Sequence, residues 1–378
     1  MAPMLPGHRE PTRSLADVSE ELVGGLADNL VDHSLRASKV TFVVIDGLGA
    51  QLIEQHSGHA RVLHRALVEH GEVISSGLPS TTAAALASIT TGRHSGEHGL
   101  LGYCVRDPES KALVNHLKPY PAGVTSRNWQ PTPTHFERLG ERGVVSLAVG
   151  EERFVGTDFS ESILRGAEFV ASHTLDGHLQ AYRSFWDQYD QGFAYLYWPG
   201  LDRVGHQRGV DSVGWRDSLE AIDSFIATLW SMVAPDEQVV VLADHGMVDV
   251  RGADQWILPA EHPVRSGIAA WAGEPRCAHL YLHDPAEASV IGRELQTELV
   301  SRASVLTHEE VMSQDIFGPV PAAHAGRIGD LVLFAEGNSA LYDEATLSLQ
   351  SLQMVGQHGS WSAAEVRVPA ITLPSQRG

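Results

Sequence analysis

Acids and imidazoles recur in this sequence at the ends of apolar runs. Asp46 closes "FVVID" and is followed by Gly47 and Gly49. Asp202 and His206 lie just past "FAYLYW", in "PGLDRVGH". Asp244 and His245 close "VVVLADHG", and His358 sits in "GQHGSW" near the C-terminus. Each alone has an ordinary explanation: an Asp after a strand often caps the next helix, and a chain with 20 histidines does not use them all as ligands. Together, the acids and imidazoles have the composition of a site for two divalent cations, with carboxylates for charge balance and imidazoles for geometry. Such a pair can hold the attacking and leaving oxygens of an in-line displacement, while one metal lowers the pKa of a bound hydroxyl or water.

A nucleophile for that chemistry is offered by "GLPSTTAAALASITTG", residues 77–92, where Ser80, Thr81 and Thr82 stand side by side before a run of small residues. Hydroxyls at a helix start cap its free amides. A helix N-terminus also favours an anion such as a phosphoryl group, which makes one of these hydroxyls a candidate to attack it.

The elements that must position these residues are short apolar runs alternating with helical patterns. Residues 39–46, 144–150, 193–198, 238–244, 278–283 and 330–336 read as strands. They are β-branched or aromatic and alternate poorly, as parallel strands buried on both faces do. Leu219, Ile222, Phe225, Ile226, Leu229, Trp230 and Val233 recur at helical spacing and read as a core-facing stripe. Strand–helix alternation predicts an open α/β sheet, mostly parallel and doubly wound, with helices on both faces. Ligands of such sheets bind beyond the carboxyl ends of the strands. Residues 251–345 are less regular and read as an inserted subdomain or cap, leaving 1–250 and 346–378 as the core. The first dozen residues, rich in proline and charge, are expected to be loose.

Composition narrows the partners. Lys and Arg number 27 against 47 Asp and Glu, a formal charge of −20. That balance disfavours nucleic-acid polymers and anionic membranes, and a phosphate substrate would need local positive charge of the kind bound metals supply. The two cysteines, Cys104 and Cys277, form no CxxC pair or disulfide framework, which favours a reducing compartment. No basic-then-apolar start suggests a secretory signal, and no run approaches the ~20 apolar residues of a membrane-spanning helix. A cytoplasmic location is the expectation.

These motifs, in this order from about residue 40 to 370, resemble the alkaline phosphatase superfamily and most closely its nucleotide pyrophosphatase/phosphodiesterase branch. The resemblance implies an alkaline-phosphatase-like core and two zinc ions, with manganese a possible substitute. It implies one metal site from Asp46, Thr82, Asp244 and His245, and a second from Asp202, His206 and His358. Pro79, Ser80, Thr81 and Thr82 match that branch's P-[TS]-x-T motif, so the nucleophile is Thr82. It would start a helix over 83–91 whose small residues allow close packing beneath the site, with Ser80 and Thr81 capping or supporting it.

Two positions depart from the branch. The aromatic that follows the nucleophile and stacks a nucleotide base is here Ala83. The Asn of H-G-[IV]-x-x-N, which donates to a phosphoryl oxygen, is replaced in "HGLLGY" by Tyr103, whose phenol can also donate. Trp129, Tyr197 and Trp198 are aromatics that could take over the stack, with core packing the expected role of each. The implied function is a two-metal phosphohydrolase, foremost a phosphodiesterase working through a phospho-threonine intermediate on a small phosphate ester. A phosphomonoesterase or phosphonate hydrolase is the enzymatic alternative, and a metal-binding protein without turnover the alternative of another class.

Overall fold

The computed structural model describes residues 12–26 and 38–376; the proline-rich residues 1–11 lie outside them. In chain order the strands of the two larger sheets are β1 (Lys39–Ile45), β2 (Gly71–Ser75), β3 (Ser146–Gly150), β4 (Glu168–Ala171), β5 (Gly192–Trp198) and β6 (Glu237–Leu242). There follow β7 (Ile268–Glu274), β8 (Cys277–Leu282), β9 (Ala303–Thr307), β10 (Leu331–Ala335) and β11 (Arg367–Leu373).

The principal sheet has seven strands in the order β2-β11-β6-β1-β5-β3-β4. β1 lies at its centre, parallel to β5 with Val43 opposite Leu196 and parallel to β6 with Val43 opposite Val241. β5, β3 and β4 continue the parallel run, and only β11 runs against its neighbours. Every residue of β1 from Val40 to Ile45 is buried, which explains the continuous apolar run without alternation: both faces are covered. One covering helix, α3 (Val213–Trp230), follows two others that matter here, α1 (Thr82–Thr91) and α2 (Gly200–Arg208). In α3, Ser212 caps the first turn through the Trp215 amide, and Leu219, Ile222, Phe225, Ile226, Leu229 and Trp230 are buried, as the periodicity predicts. The pairing of β11 with β2 carries no comparable sequence signal. Pro369 sits inside β11, opposite Val73, and breaks the run that would otherwise announce a strand.

The second sheet is antiparallel, β7-β8-β10-β9. Leu280, Leu331 and Leu333 gather with Leu258, Leu295 and Leu341 into a cluster of their own. Cys277, Val332 and Phe334 instead join the principal core. Phe334 stacks on Trp361 at 4.3 Å between ring centroids, so this sheet backs the stretch of chain that carries His358. No helix among the described residues is long and apolar enough to cross a membrane.

Candidate active site

The carboxyl ends of β1, β5 and β6 deliver three acids to one place. Asp46 follows β1 directly, and Asp244 and His245 follow β6. The left-handed Gly47 (φ 75°) turns the chain there because a Cβ would press on Asp202 at 3.1 Å. Gly246 is similarly confined, since a Cβ would meet the Ala364 carbonyl oxygen. His245 Nδ1 lies 3.0 Å from its own neighbour's carbonyl, Gly246 O, so the proton is on Nδ1 and the Nε2 lone pair faces the site. That Nε2 is 3.4 Å from Asp46 Oδ1, 3.5 Å from Asp244 Oδ2 and 3.1 Å from Thr82 Oγ1. Thr82 is half-buried at the first position of α1, and every residue from Ala83 to Thr91 is buried.

A second group assembles beside it. Asp202 and His206 lie one turn apart on α2, with His206 Nε2 3.3 Å from Asp202 Oδ2. His358 Nε2 is 3.8 Å from Asp202 Oδ1 and 3.3 Å from His206 Nε2. Both imidazoles give Nδ1–H to a carbonyl, His206 to Gly356 O at 2.7 Å and His358 to Ser80 O at 3.0 Å. Two lone pairs therefore point at one another. The rings of His358 and His245 stack at 3.6 Å, which joins the two groups into one cluster.

Divalent cations fit this arrangement. Asp46 Oδ1, Asp202 Oδ1 and Asp244 Oδ2 are buried without a hydrogen-bond donor among the described residues. Burial, then the facing carboxylates of Asp244 and Asp202, push the Asp46 carboxyl well above its ordinary range, although Tyr197 donates to it. Burial likewise raises Asp244 and holds His358 far below an ordinary imidazole. Acids that resist ionisation and imidazole lone pairs that face each other are relieved together by a cation between them. The ligand atoms of Asp202, His206 and His358, and those of Asp46, Asp202 and His245, each fall within 4.8 Å of one another.

The structure thus brings Asp46, Thr82, Asp202, His206, Asp244, His245 and His358 together. Tyr103 is not joined to them by a hydrogen bond or ion pair among the described residues: its N–H donates to Glu274 Oε2 at 3.2 Å, and its ring packs with Cys104, Ala270, Ala272 and Tyr281. The helix begins at Thr82 rather than residue 83. Of the two roles expected of Ser80 and Thr81, capping or support, no side-chain cap is found, and Ser80 takes the supporting one. Thr81 holds the cap position without a side-chain hydrogen bond. Ser80 Oγ instead donates to Ser360 O and accepts from Gly359 N, tying the loop before Thr82 to the His358 loop. Trp129 is buried beneath the Arg327 guanidinium at 3.9 Å, in the core role expected of it.

Sequence reasoning missed the bracing. The Arg276–Glu365 pair is wholly buried and two-pronged, at 2.7 Å for each contact. Glu365 also accepts from Ser360 N, and its carbonyl accepts from Gly246 N. One ion pair thereby fixes the chain beside both His245 and His358. Its partners are 89 residues apart, so no local pattern announces it.

Comparison with known proteins agrees with the geometry. A family profile described as type I phosphodiesterase/nucleotide pyrophosphatase matches residues 40–361. GPI ethanolamine phosphate transferase 2 of Debaryomyces hansenii is 22% identical over 247 residues, 64% of this chain. The match spans only 27% of that longer protein. Murine ectonucleotide pyrophosphatase/phosphodiesterase 5 superposes with a TM-score of 0.69 at 16% identity, covering 89% of this chain and 88% of that one. An inactive threonine-to-alanine form of it in complex with AMP gives 0.70 at 15% identity, with the same coverage. Phosphonoacetate hydrolase from Sinorhizobium meliloti 1021, bound to phosphonoacetate, gives 0.68 at 19% identity over 90% of this chain and 91% of that one.

Proposed function

The chain belongs to the type I phosphodiesterase/nucleotide pyrophosphatase family, and we propose that it hydrolyses a small phosphodiester with Thr82 as nucleophile and two zinc ions as cofactors, manganese being able to substitute. The observation that carries the reading is the position of Thr82 Oγ1, 3.1 Å from the His245 Nε2 lone pair and at the head of a buried helix. Asp46, Asp244 and His245 with Thr82 would hold one ion, and Asp202, His206 and His358 the other. Bound cations supply positive charge to the phosphoryl oxygens and to the attacking hydroxyl.

The chain's own residues define the rest. Thr82 would turn its oxygen to phosphorus, the new Thr82 O–P bond forming as the bond to the leaving alcohol breaks. The hydroxyl proton ends on the departing alcohol, and water then hydrolyses the phospho-threonine and restores the Thr82 hydroxyl. A phosphoryl group carried on Thr82 would lie at the start of α1, whose amides favour an anion. Tyr103 is the proposed donor to a phosphoryl oxygen, and burial pushes its phenol up so that the proton stays on it. Ala83 leaves no platform for a base, so little preference among nucleobases is expected.

The inactive threonine-to-alanine form of the murine neighbour is consistent with a threonine nucleophile in this fold. A second reading, cleavage of a phosphonate, is favoured by the equally extensive superposition of phosphonoacetate hydrolase. Zinc-loaded protein assayed on bis-p-nitrophenyl phosphate, p-nitrophenyl phosphate and phosphonoacetate separates the readings. Diester turnover that is lost on chelation supports the first; zinc-independent turnover or none overturns it. A cytoplasmic setting belongs to the proposal, supported by the free, buried thiols of Cys104 and Cys277. So does the division into a core of 1–250 and 346–378 and a subdomain of 251–345, supported by the separate apolar cluster of the second sheet.

A further inference from the structure

Beyond the acidic floor of the site, the rim formed by the end of β3 carries cations. Glu151 follows β3, which lies beside β5 with Val149 opposite Leu196. Only 9% of Glu151 is exposed, and its two oxygens are divided between two guanidiniums. Oε1 accepts from Arg203 Nη2 at 2.5 Å, and Oε2 lies 2.6 Å from Arg153 Nε. Burial works against the Glu151 charge, but the two arginines more than offset it and hold the carboxyl below its usual range.

Glu151 follows β3 and Asp202 follows β5, its parallel neighbour, so the group and Asp202 leave the same end of the sheet. Arg203 is the residue after Asp202 on α2. Arg153 lies over the Phe154 ring at 4.7 Å, and that ring is 5.9 Å from Tyr197, which donates to Asp46. Two guanidiniums share one carboxylate, so the group keeps one net positive charge. Each arginine gives Glu151 a single nitrogen and retains most of its five N–H donors. The Arg203 and Arg153 side chains are 43% and 58% exposed, while the carboxylate beneath them is 11% exposed. The buried acid aligns the forks, and their outer edges are free for another anion. In a chain of charge −20, such a cationic pair beside the reacting centre stands against the general field.

We infer that Arg153 and Arg203, aligned by Glu151, form an anion subsite that selects substrates bearing a second phosphate or carboxylate beyond the reacting phosphoryl group. This rests on the phosphohydrolase reading for which group reacts, but the binding itself is measurable without turnover.

The test is calorimetric titration of the zinc-loaded protein with methylphosphonate, methylenediphosphonate and phosphonoacetate, which share one head group and differ in the second anion. Charge-assisted contacts of this kind predict that the doubly anionic probes bind ~10-fold or more tightly than methylphosphonate. A stronger advantage for the diphosphonate identifies a phosphate as the second group, and for phosphonoacetate a carboxylate. Arg203→Gln and Arg153→Gln should each erase most of that advantage, and Arg203→Lys should restore part of it. Equal binding of all three probes, or an advantage that survives both glutamine variants, overturns the subsite. Hydrolysis of bis-p-nitrophenyl phosphate is followed in parallel. An arginine-dependent advantage without hydrolysis would sink the enzyme reading and keep the subsite; hydrolysis without the advantage would do the reverse.

Discussion

Asp46, Asp244 and His245 follow directly from two adjacent strands at the centre of the sheet, whereas Asp202, His206 and His358 are gathered from a helix and a loop close to the C-terminus. In the first group the hydrogen-bonded ladder of β1 and β6 fixes the backbone, and Gly47 N and His245 N both donate to Asp244 Oδ1 at 3.0 Å. The second group has only a two-residue ladder, Gly356 opposite Asp249 and Gln357 opposite Val248, just before His358. His358 is held by contacts to distant chain: Ser80, the Arg276–Glu365 pair and the stacked Phe334–Trp361 rings. A strand end positions its ligands by itself. A loop must borrow rigidity from packing, which costs more buried polar contacts per ligand.

The largest effect expected from this contrast lies in the strand-built half. Thr82→Ala should lower turnover of the aryl diester by roughly 10³-fold or more, while Thr82→Ser retains part of it. Zinc content should fall little, since Asp46, Asp244 and His245 remain. Steady-state kinetics with metal analysis checks both. An active Thr82→Ala protein would remove the nucleophile from the strand-built half altogether.

Breaking the brace at the Glu365 side chain should damage the loop-built half more. The carboxylate accepts from Ser360 N, while the contact beside His245 is made by the Glu365 backbone carbonyl, which a substitution leaves in place. Glu365→Gln leaves the Arg276 charge buried without its partner, a loss of about 3–5 kcal/mol for such pairs. Thermal melting measures that cost. Under increasing chelator the variant should release one ion before the other, passing through a one-zinc state that the parent lacks. Simultaneous release of both would show that the two halves share their rigidity.

Legibility in the sequence follows the same division. The strand-end acids could be read because β1 and β6 are apolar runs that stop just before Asp46 and Asp244, and β5 ends four residues before Asp202. Thr82 was legible through its motif, and α3 through its period. Arg276, Glu365 and the Ser80 contacts were not, because each joins segments far apart in sequence and neither partner carries a local pattern. The hydroxyl triplet was legible in part: it suggests capping or support, and Ser80 takes the second role because it is turned toward the loop it binds. β11 escaped because its proline hides the strand, although that strand positions nothing catalytic.

Glu274 gives the contrast a pH signature. It sits in the second sheet, with its Cγ where a Cβ on Gly359 would lie, and Tyr103 N–H donates to it. Burial pushes its carboxyl from 4.5 up to about 8. The folded chain therefore keeps a proton that the unfolded chain has lost between those values, so stability from this group falls as pH rises from about 4.5 to about 8 and is level above. Glu274→Gln stays neutral throughout. Its melting temperature should fall less than the parent's across that window, the difference between the two growing by on the order of 5 kcal/mol by pH 8.5. Parallel pH profiles for the two proteins would show that Glu274 is ionised in the fold.

The smallest effect separates two adjacent hydroxyls. Ser80 Oγ is buried between the Ser360 carbonyl and the Gly359 amide, whereas the Thr81 side chain leaves the first turn of α1 uncapped. Ser80→Ala strands the buried Gly359 N–H, for which the usual cost is about 1–3 kcal/mol. Thr81→Ala removes no hydrogen bond to the helix but takes away a buried methyl, which sets its cost at about 1 kcal/mol. Because Gly359 adjoins His358, Ser80→Ala should also weaken zinc retention, and it should do so in the loop-built half, leaving the ion beside His245 in place. A loss in Thr81→Ala well beyond that of one methyl would restore the capping role for Thr81. Equal loss of both ions in Ser80→Ala would mean that the loop contacts brace the whole cluster rather than its second half.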